Sequence, residues 1–248
     1  MSKISVENKL RSYAIKARNS YALGVMEPID IYKILTIENV ACIKRPMDTE
    51  ISGAYFSAEK AKVILINTAK TVGHQNFTAA HELYHALFED GLETRACTVG
   101  RFDIRDERET AADFFATHFL MPEEGIRYYL ARRMKNREEL ELADVIYLEQ
   151  LYGVSHLAML KRLVELNIID NKAKEEFLPN IRNNAIMLGY DDWLYRPSQD
   201  SYMISDYAEK VKLAYDKELI SFSKYEELLA DAGLDPNYDD EEVADFVD

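Results

Sequence analysis

The segment 77–85 reads FTAAHELYH and places two histidines four residues apart, with a glutamate directly after the first. Positions four apart lie on one face of a helix, so the imidazoles of His81 and His85 can bind one metal ion. Glu82 lies beside His81 around the helix, where it cannot easily share the metal but can reach a water molecule that the metal holds. The spacing therefore predicts a hydrolytic metal site with Glu82 as its general base.

A third ligand is expected from a nearby helix, because catalytic zinc usually takes three protein ligands and leaves the fourth position for water. We assign it to Glu109, at the start of the segment ETAAD, 109–113. Asp113 follows four residues later on the same face, where it can accept the second ring N–H of a ligand histidine and fix its tautomer. Two imidazoles and one carboxylate favour zinc and leave manganese as the alternative.

Periodicity around the motif predicts an α+β fold, with strands early in the chain and helices later. Residues 51–56 and 62–67 are expected to form a hairpin that directly precedes the motif helix, which is predicted over 78–90 with Thr78 as its N-cap. Residues 171–200 give little periodic signal. The other expected elements are a strand over 39–44 and helices over 8–23, after Pro28, and over 106–120, 123–134, 138–152, 155–166, 205–218 and 223–232, the last capped by Ser223.

Composition is that of a globular protein, with 48% apolar and 30% charged residues in a chain of 248. No apolar run follows the first lysine, so we expect no signal peptide, and the aliphatic run 63–66 is far too short to span a membrane. The two cysteines, Cys42 and Cys97, form no C-x-x-C pair. These features predict a cytoplasmic protein without a disulfide framework.

Charge argues against duplex DNA as a direct ligand. The formal net charge is −14, and the acidic tail 235–248 contributes seven acids and no base, so the rest of the chain still carries −7. Phosphate binding needs a basic surface. An acidic surface is instead compatible with a basic protein partner.

The other histidines receive less specific interpretations. His118 is nine positions after Glu109, about half a turn away around the helix, so a core or surface role is favoured over ligation. His74 is expected in a loop before the motif, where it could touch substrate but is favoured as a solvated residue. His156 is expected at the start of a helix, where it serves packing or capping. Tyr84 is the bulky residue inside the motif, and its phenol is assigned either to packing or to function.

The segments 77–85 and 109–122, with the strands 51–56 and 63–67, resemble the ImmA/IrrE metallopeptidases over roughly residues 8–170. The resemblance implies a zincin-like core, with a small N-terminal sheet or hairpin packed on the motif helix and a mostly helical C-terminal part. It implies zinc on His81, His85 and Glu109, with Glu82 as the catalytic base.

The resemblance also implies a biological role, the cleavage of helix-turn-helix repressors of the XRE type, which releases genes of phages, other mobile elements or stress responses. Tyr84 departs from the small residue that the family often has there, and residues 171–248 extend beyond the common core. We expect a metallopeptidase core over 1–135, a helical hairpin over 136–170, a helical extension over 171–234 and a disordered acidic tail over 235–248.

Two other functions fit the sequence. Residues 145–155 have the spacing of a helix-turn-helix, and Lys161-Arg162 follow, so a DNA-associated regulator is one alternative. An ordinary helical hairpin is favoured for this segment, because its second helix has few basic residues. The other alternative is a non-catalytic protein that binds a repressor and uses its metal only for stability.

Overall fold

A computed structural model describes residues 3–58, 61–89, 94–97, 107–135, 137–232 and 234 of the chain. The described elements confirm the α+β class. The strands are β1 (Val40–Arg45), β2 (Gly53–Ala58), β3 (Ala61–Asn67), β4 (Thr94–Cys97) and β5 (Tyr202–Ile204). The helices are α1 (Lys3–Ser20), α2 (Ile31–Ile37), α3 (Val72–Phe88), α4 (Glu107–Leu120), α5 (Glu123–Arg133), α6 (Leu142–Tyr152), α7 (His156–Glu165), α8 (Asn171–Phe177), α9 (Ile181–Met187), α10 (Tyr207–Asp216) and α11 (Phe222–Asp231), with a 3-10 turn at Trp193–Tyr195.

The strands form one mixed sheet in the order β4-β2-β3-β1-β5. β2 and β3 pair antiparallel, with Gly53 opposite Ile66, which confirms the predicted hairpin. β1 runs parallel to β3, and the two outer strands, β4 and β5, pair antiparallel with their neighbours. Neither outer strand was predicted, because runs of four and three residues are too short to show an alternating pattern.

Helix α3 lies between the sheet and α4, and this packing positions the candidate site. It contacts β2 and β3 on one side and α4 on the other, while α1 packs on α4. Where α3 and α4 meet, small buried residues such as Ala80, Ala112 and Ala116 allow the two backbones to approach, and Phe115 and Phe119 fill the core beside them. The close approach brings the polar face of α4 next to the histidines of α3.

The start of α3 differs from the prediction. The helix begins at Val72 after Thr71, and Thr78 lies inside it, donating to the carbonyl of His74 at 2.9 Å. Residues 72–77 contain poor helix formers, but tertiary contacts stabilise them. Gly73 is the clearest case, since a Cβ there would lie 2.6 Å from the backbone nitrogen of Ser155, so only glycine lets α3 pack against the loop between α6 and α7. The predicted Ser223 cap of α11 was also wrong, because Ser221 caps that helix and accepts from the Lys224 amide at 3.3 Å.

Helices α6 and α7 form a tight hairpin. Gly153, in the left-handed region at φ 63°, ends α6, and Ser155 caps α7. Arg162 of α7 is 2% exposed and donates to the carbonyl of Met121 at 3.1 Å. One of the two basic residues of the supposed DNA-reading helix is therefore part of the core, which favours the interpretation as an ordinary helical hairpin.

The chain divides into two compact units, Met1–Ile204 and Ser205–Asp248. The first contains the sheet and helices α1 to α9. In the second, α10 and α11 pack through the rings of Tyr215, Phe222 and Tyr225. The four-part division expected from sequence stays a prediction, and its acidic tail lies outside the described residues. Within the described part of the chain, none of the helices has the length and apolar character needed to cross a bilayer.

Candidate metal centre

The facing surfaces of α3 and α4 bring His81, His85 and Glu109 together. Both imidazoles are buried, with side chains 1% and 0% exposed, and Glu109 reaches them from the first turn of α4 with its carboxylate partly accessible. One potential ligand atom from each residue lies within 4.8 Å of the others. These are the three residues to which the sequence assigned the metal.

The distances between the potential ligand atoms show how tightly they converge. The Nε2 atoms of His81 and His85 are 3.3 Å apart. One Glu109 oxygen lies 3.1 Å from Nε2 of His81, and the other lies 3.6 Å from Nε2 of His85. Two ring nitrogens and a carboxylate therefore surround one point.

The opposite nitrogen of each ring faces a carboxylate, which determines the tautomer. Nδ1 of His81 lies 2.8 Å from Oδ1 of Asp113, and Nδ1 of His85 lies 2.9 Å from Oε2 of Glu89. A carboxylate accepts a hydrogen bond, so we assign the proton of each neutral ring to Nδ1. Each Nε2 then directs its lone pair at the same point, where a divalent cation would offset the mutual repulsion of the lone pairs and the Glu109 carboxylate. The donor set fits a metal ion of the zinc type.

The electrostatics of His85 agree with this assignment. Burial and the neighbouring His81 lower the pKa of His85, and they outweigh Glu89 and Glu109, which act in the opposite direction. A neutral imidazole is the form that binds metal.

Glu82 is fully buried beside the histidines and its carboxylate extends towards strand β2. A Cβ atom on Gly53 would lie 3.2 Å from Oε1 of Glu82 and only 2.5 Å from Cγ2 of Thr78. Gly53 therefore provides the space that the Glu82 carboxylate occupies. The sequence did not assign this role to Gly53, since the contact joins residues that are far apart along the chain.

Glu89 was missed by the sequence analysis, although it makes the contact with His85 that Asp113 makes with His81. Glu89 is the C-cap residue of α3, directly after Phe88, and its side chain is 11% exposed. The signal was present, because Glu89 is four residues after His85 and so lies on the same helix face.

We expect Glu89→Ala to weaken zinc binding by roughly 10- to 100-fold, because the variant loses the acceptor that holds the Nδ1 proton of His85 and orients the ring. Competition titration with a fluorescent zinc chelator measures the affinity. Glu176→Ala, at an exposed acid of α8, is the matched control and should bind zinc as the wild-type protein does. Equal affinities for both variants would show that Glu89 does not support the metal centre.

Two other histidines lie close to the site without contributing to it. His118 is buried, with Nδ1 donating to the Phe114 carbonyl and Nε2 facing Arg162 at 3.2 Å; burial and Arg162 lower the pKa of His118 to about 4. His74 is a half-buried residue of α3 whose Nε2 lies 2.8 Å from Oγ of Ser52, and burial lowers its pKa to about 4. The prediction of a solvated loop for His74 was wrong, because α3 begins six residues earlier than its sequence pattern indicates.

Tyr84 and His156 contact other side chains of the core. Tyr84 is buried in a ring cluster with Phe88 and Phe115, at centroid distances of 5.3 and 5.6 Å, and burial raises its pKa. His156 begins α7 and pairs with the buried Glu149 at 2.5 Å; although burial opposes its charge, this carboxylate raises the pKa of His156. The contacts of Tyr84 favour the packing alternative for its phenol.

Comparison with known proteins agrees with the geometry. The family model Peptidase_M78, described as an IrrE N-terminal-like domain, matches residues 39–164, which is half of the chain. The matched span includes β1 to β4 and helices α3 to α6, with nearly all of α7, and so contains all of the residues that converge on the candidate site. No curated protein matches the chain.

Proposed function

The chain belongs to the Peptidase_M78 family of metallopeptidases, and on this premise we propose that it is a zinc-dependent endopeptidase that cleaves a transcriptional repressor. The observation that carries the proposal is the convergence of two buried Nε2 lone pairs and the Glu109 carboxylate on one point. Histidine nitrogens with a single carboxylate form a ligand set that suits catalytic zinc.

In the proposed mechanism, His81, His85 and Glu109 hold the ion. Zinc, when bound, supplies the positive charge that acidifies a water molecule and polarises the scissile carbonyl. Glu82 accepts a proton from the attacking water on its carboxylate and donates it to the nitrogen of the leaving amine, so one residue acts first as base and then as acid.

The surrounding carboxylates keep the ligands oriented during this proton transfer. Asp113 and Glu89 retain the Nδ1 protons of the two imidazoles, so that each Nε2 stays directed at the ion. Gly53 keeps the space beside Glu82 open. These residues position the reacting groups and do not themselves exchange protons with substrate.

We propose a helix-turn-helix repressor of the XRE type as the substrate, as the resemblance of the two motif segments implies. The charge of the chain supports this choice. Proteins that bind DNA present basic surfaces, and a chain with a formal net charge of −14 attracts them over long range. The same charge opposes the alternative of a protein that itself binds DNA.

Incubation of the zinc-loaded protein with the repressor encoded beside its gene tests the proposal. We expect two defined fragments by mass spectrometry, because a regulatory protease with a narrow substrate cuts at one site. His85→Ala, which lacks one ligand, is the control and should leave the repressor intact. Co-elution of the two proteins without fragments would favour the non-catalytic alternative, and a gel shift with duplex DNA at physiological salt would favour the DNA-associated one.

A further inference from the structure

A cavity of about 430 Å³ lies between α3, α4 and α7, next to the candidate metal centre. We propose that it is the subsite that receives a large apolar side chain of the substrate, adjacent to the bond that is cut. This inference rests on the proposed function and deepens it, because it names the side-chain class by which the peptidase selects its cleavage site.

The position of the cavity follows from residues that it shares with the metal centre. Asp113 lines the cavity and also accepts the hydrogen bond of His81 at 2.8 Å. Phe77, another lining residue, is four positions before His81 and so lies one turn away on the same face of α3. Thr110 lines the cavity directly after Glu109. A side chain next to a scissile bond held at the metal can therefore enter the cavity.

The apolar part of the lining determines what the cavity can hold. Phe77, Phe114, Leu157 and Ala158 contribute apolar surface from all three helices. Leu157 is 45% exposed, and the other three are half-buried. Single exposed apolar residues are ordinary, but four around one cavity leave apolar surface that a ligand can bury.

The charges around the cavity balance, which favours an apolar occupant over a charged one. Asp113 and Glu165 are acidic, and Lys161 and Arg162 are basic, so the lining has no formal net charge. Arg162 and Glu165 already pair at 2.9 Å. His118, also in the lining, adds no charge near neutral pH, because burial and Arg162 lower its pKa to about 4. A charged side chain would lose hydration, and a lining without net charge offers no excess of opposite charge to offset that loss.

The location of this cavity, not its size, distinguishes it from a larger one. Its volume falls in the range of roughly 300–1,000 Å³ that is usual for ligand pockets. A second cavity of about 770 Å³ lies at the N-terminal end of α3, lined by Lys44, Arg196 and Tyr202 among others. The described residues that line this second cavity include no residue of α4, and so neither Asp113, which faces His81, nor Thr110, which follows Glu109. It therefore lacks the link to the metal centre that the first cavity has.

A peptide library randomised on both sides of the cut, incubated with the zinc-loaded protein, tests the assignment. For the wild-type protein we expect large apolar residues to be enriched about ten-fold or more at one position beside the cut. Ala158→Trp, which fills the cavity, should abolish this enrichment and favour small residues there, with unchanged zinc content. Leu157→Ser, at the exposed rim, should fold normally and weaken the enrichment.

Ala131→Trp is the matched control, since Ala131 is an exposed helical alanine of α5 away from the cavity. It should preserve the wild-type preference. A wild-type protein that cuts peptides with no preference beside the cut, or a preference that survives both Ala158→Trp and Leu157→Ser, would overturn the subsite and leave the peptidase function standing. A zinc-loaded wild-type protein that cuts neither the library nor the repressor would overturn the proposed function and the subsite with it.

Discussion

Glu82→Gln is expected to lower kcat/KM for peptide cleavage by about 10³-fold while zinc content and fold stay unchanged. The amide has nearly the shape of the carboxylate, so it fits the buried space beside Gly53. It cannot take the proton of the attacking water, and this loss corresponds to about 4 kcal/mol of transition-state stabilisation. His81, His85 and Glu109 are untouched, so the metal should remain bound.

The measurement compares cleavage rates and zinc content of the variant and wild-type protein, the latter by elemental analysis. Glu124→Gln is the matched control, since it makes the same chemical change at an exposed acid of α5, and it should cleave at the wild-type rate. If Glu82→Gln retains cleavage with zinc bound, Glu82 is not the general base. If it loses zinc as well as cleavage, the role of Glu82 is structural.

The residues that converge on the candidate site were the most predictable part of this protein. The pair His81 and His85 is set by helix periodicity alone, because four residues span one turn. Glu109 and Asp113 repeat that spacing on a second helix. Catalytic zinc usually has three protein ligands, so a third ligand was expected from a nearby helix. Glu89 obeys the same rule and was within reach of the same reasoning.

The parts of the fold that the sequence did not predict are very short elements or depend on contacts between residues that are distant in sequence. Strand β5 pairs with β1 across more than 150 residues, and its three residues show no period of their own. Helices α8 and α9 have seven residues each and bury none and one of them, so they lack the apolar spacing of Ile31, Ile34 and Leu35 that predicted the equally short α2. Their starts depend on local features instead, such as the Asp170 side chain that accepts from the Ala173 amide at 2.8 Å.

The early part of α3 shows how packing overrides propensity. The sequence analysis placed the start of the helix at Thr78, and residues 72–77 include Gly73 and Asn76, both poor helix formers. In the folded chain, Asn76 donates to the Gly153 carbonyl at 2.8 Å and Gly73 packs on Ser155, so the α6–α7 hairpin stabilises the first turns of the motif helix. The sequence of residues 72–77 alone does not predict these contacts with the α6–α7 hairpin.

Removal of zinc with a chelator is expected to abolish cleavage and to lower the Tm of the protein by about 10 °C. Without a cation, two Nε2 lone pairs and the Glu109 carboxylate face one another at 3.1–3.6 Å, which opposes the packing of α4 on α3. Zinc at about a thousand times its Kd stabilises the folded state by about 4 kcal/mol. In a chain of this size each kcal/mol shifts the Tm by roughly 2–4 °C.

Thermal unfolding with and without chelator measures the shift, and re-addition of zinc should restore both Tm and cleavage. Two variants distinguish the residues that bind the metal from the residue that transfers the proton. His85→Ala should show no zinc-dependent change in Tm, because one of the three ligands is gone. Glu82→Gln should show the full change in Tm without recovering activity, since its ligands are intact. A zinc-dependent shift of wild-type size in His85→Ala would mean that the ion binds elsewhere on the chain, and the ligand assignment would be wrong.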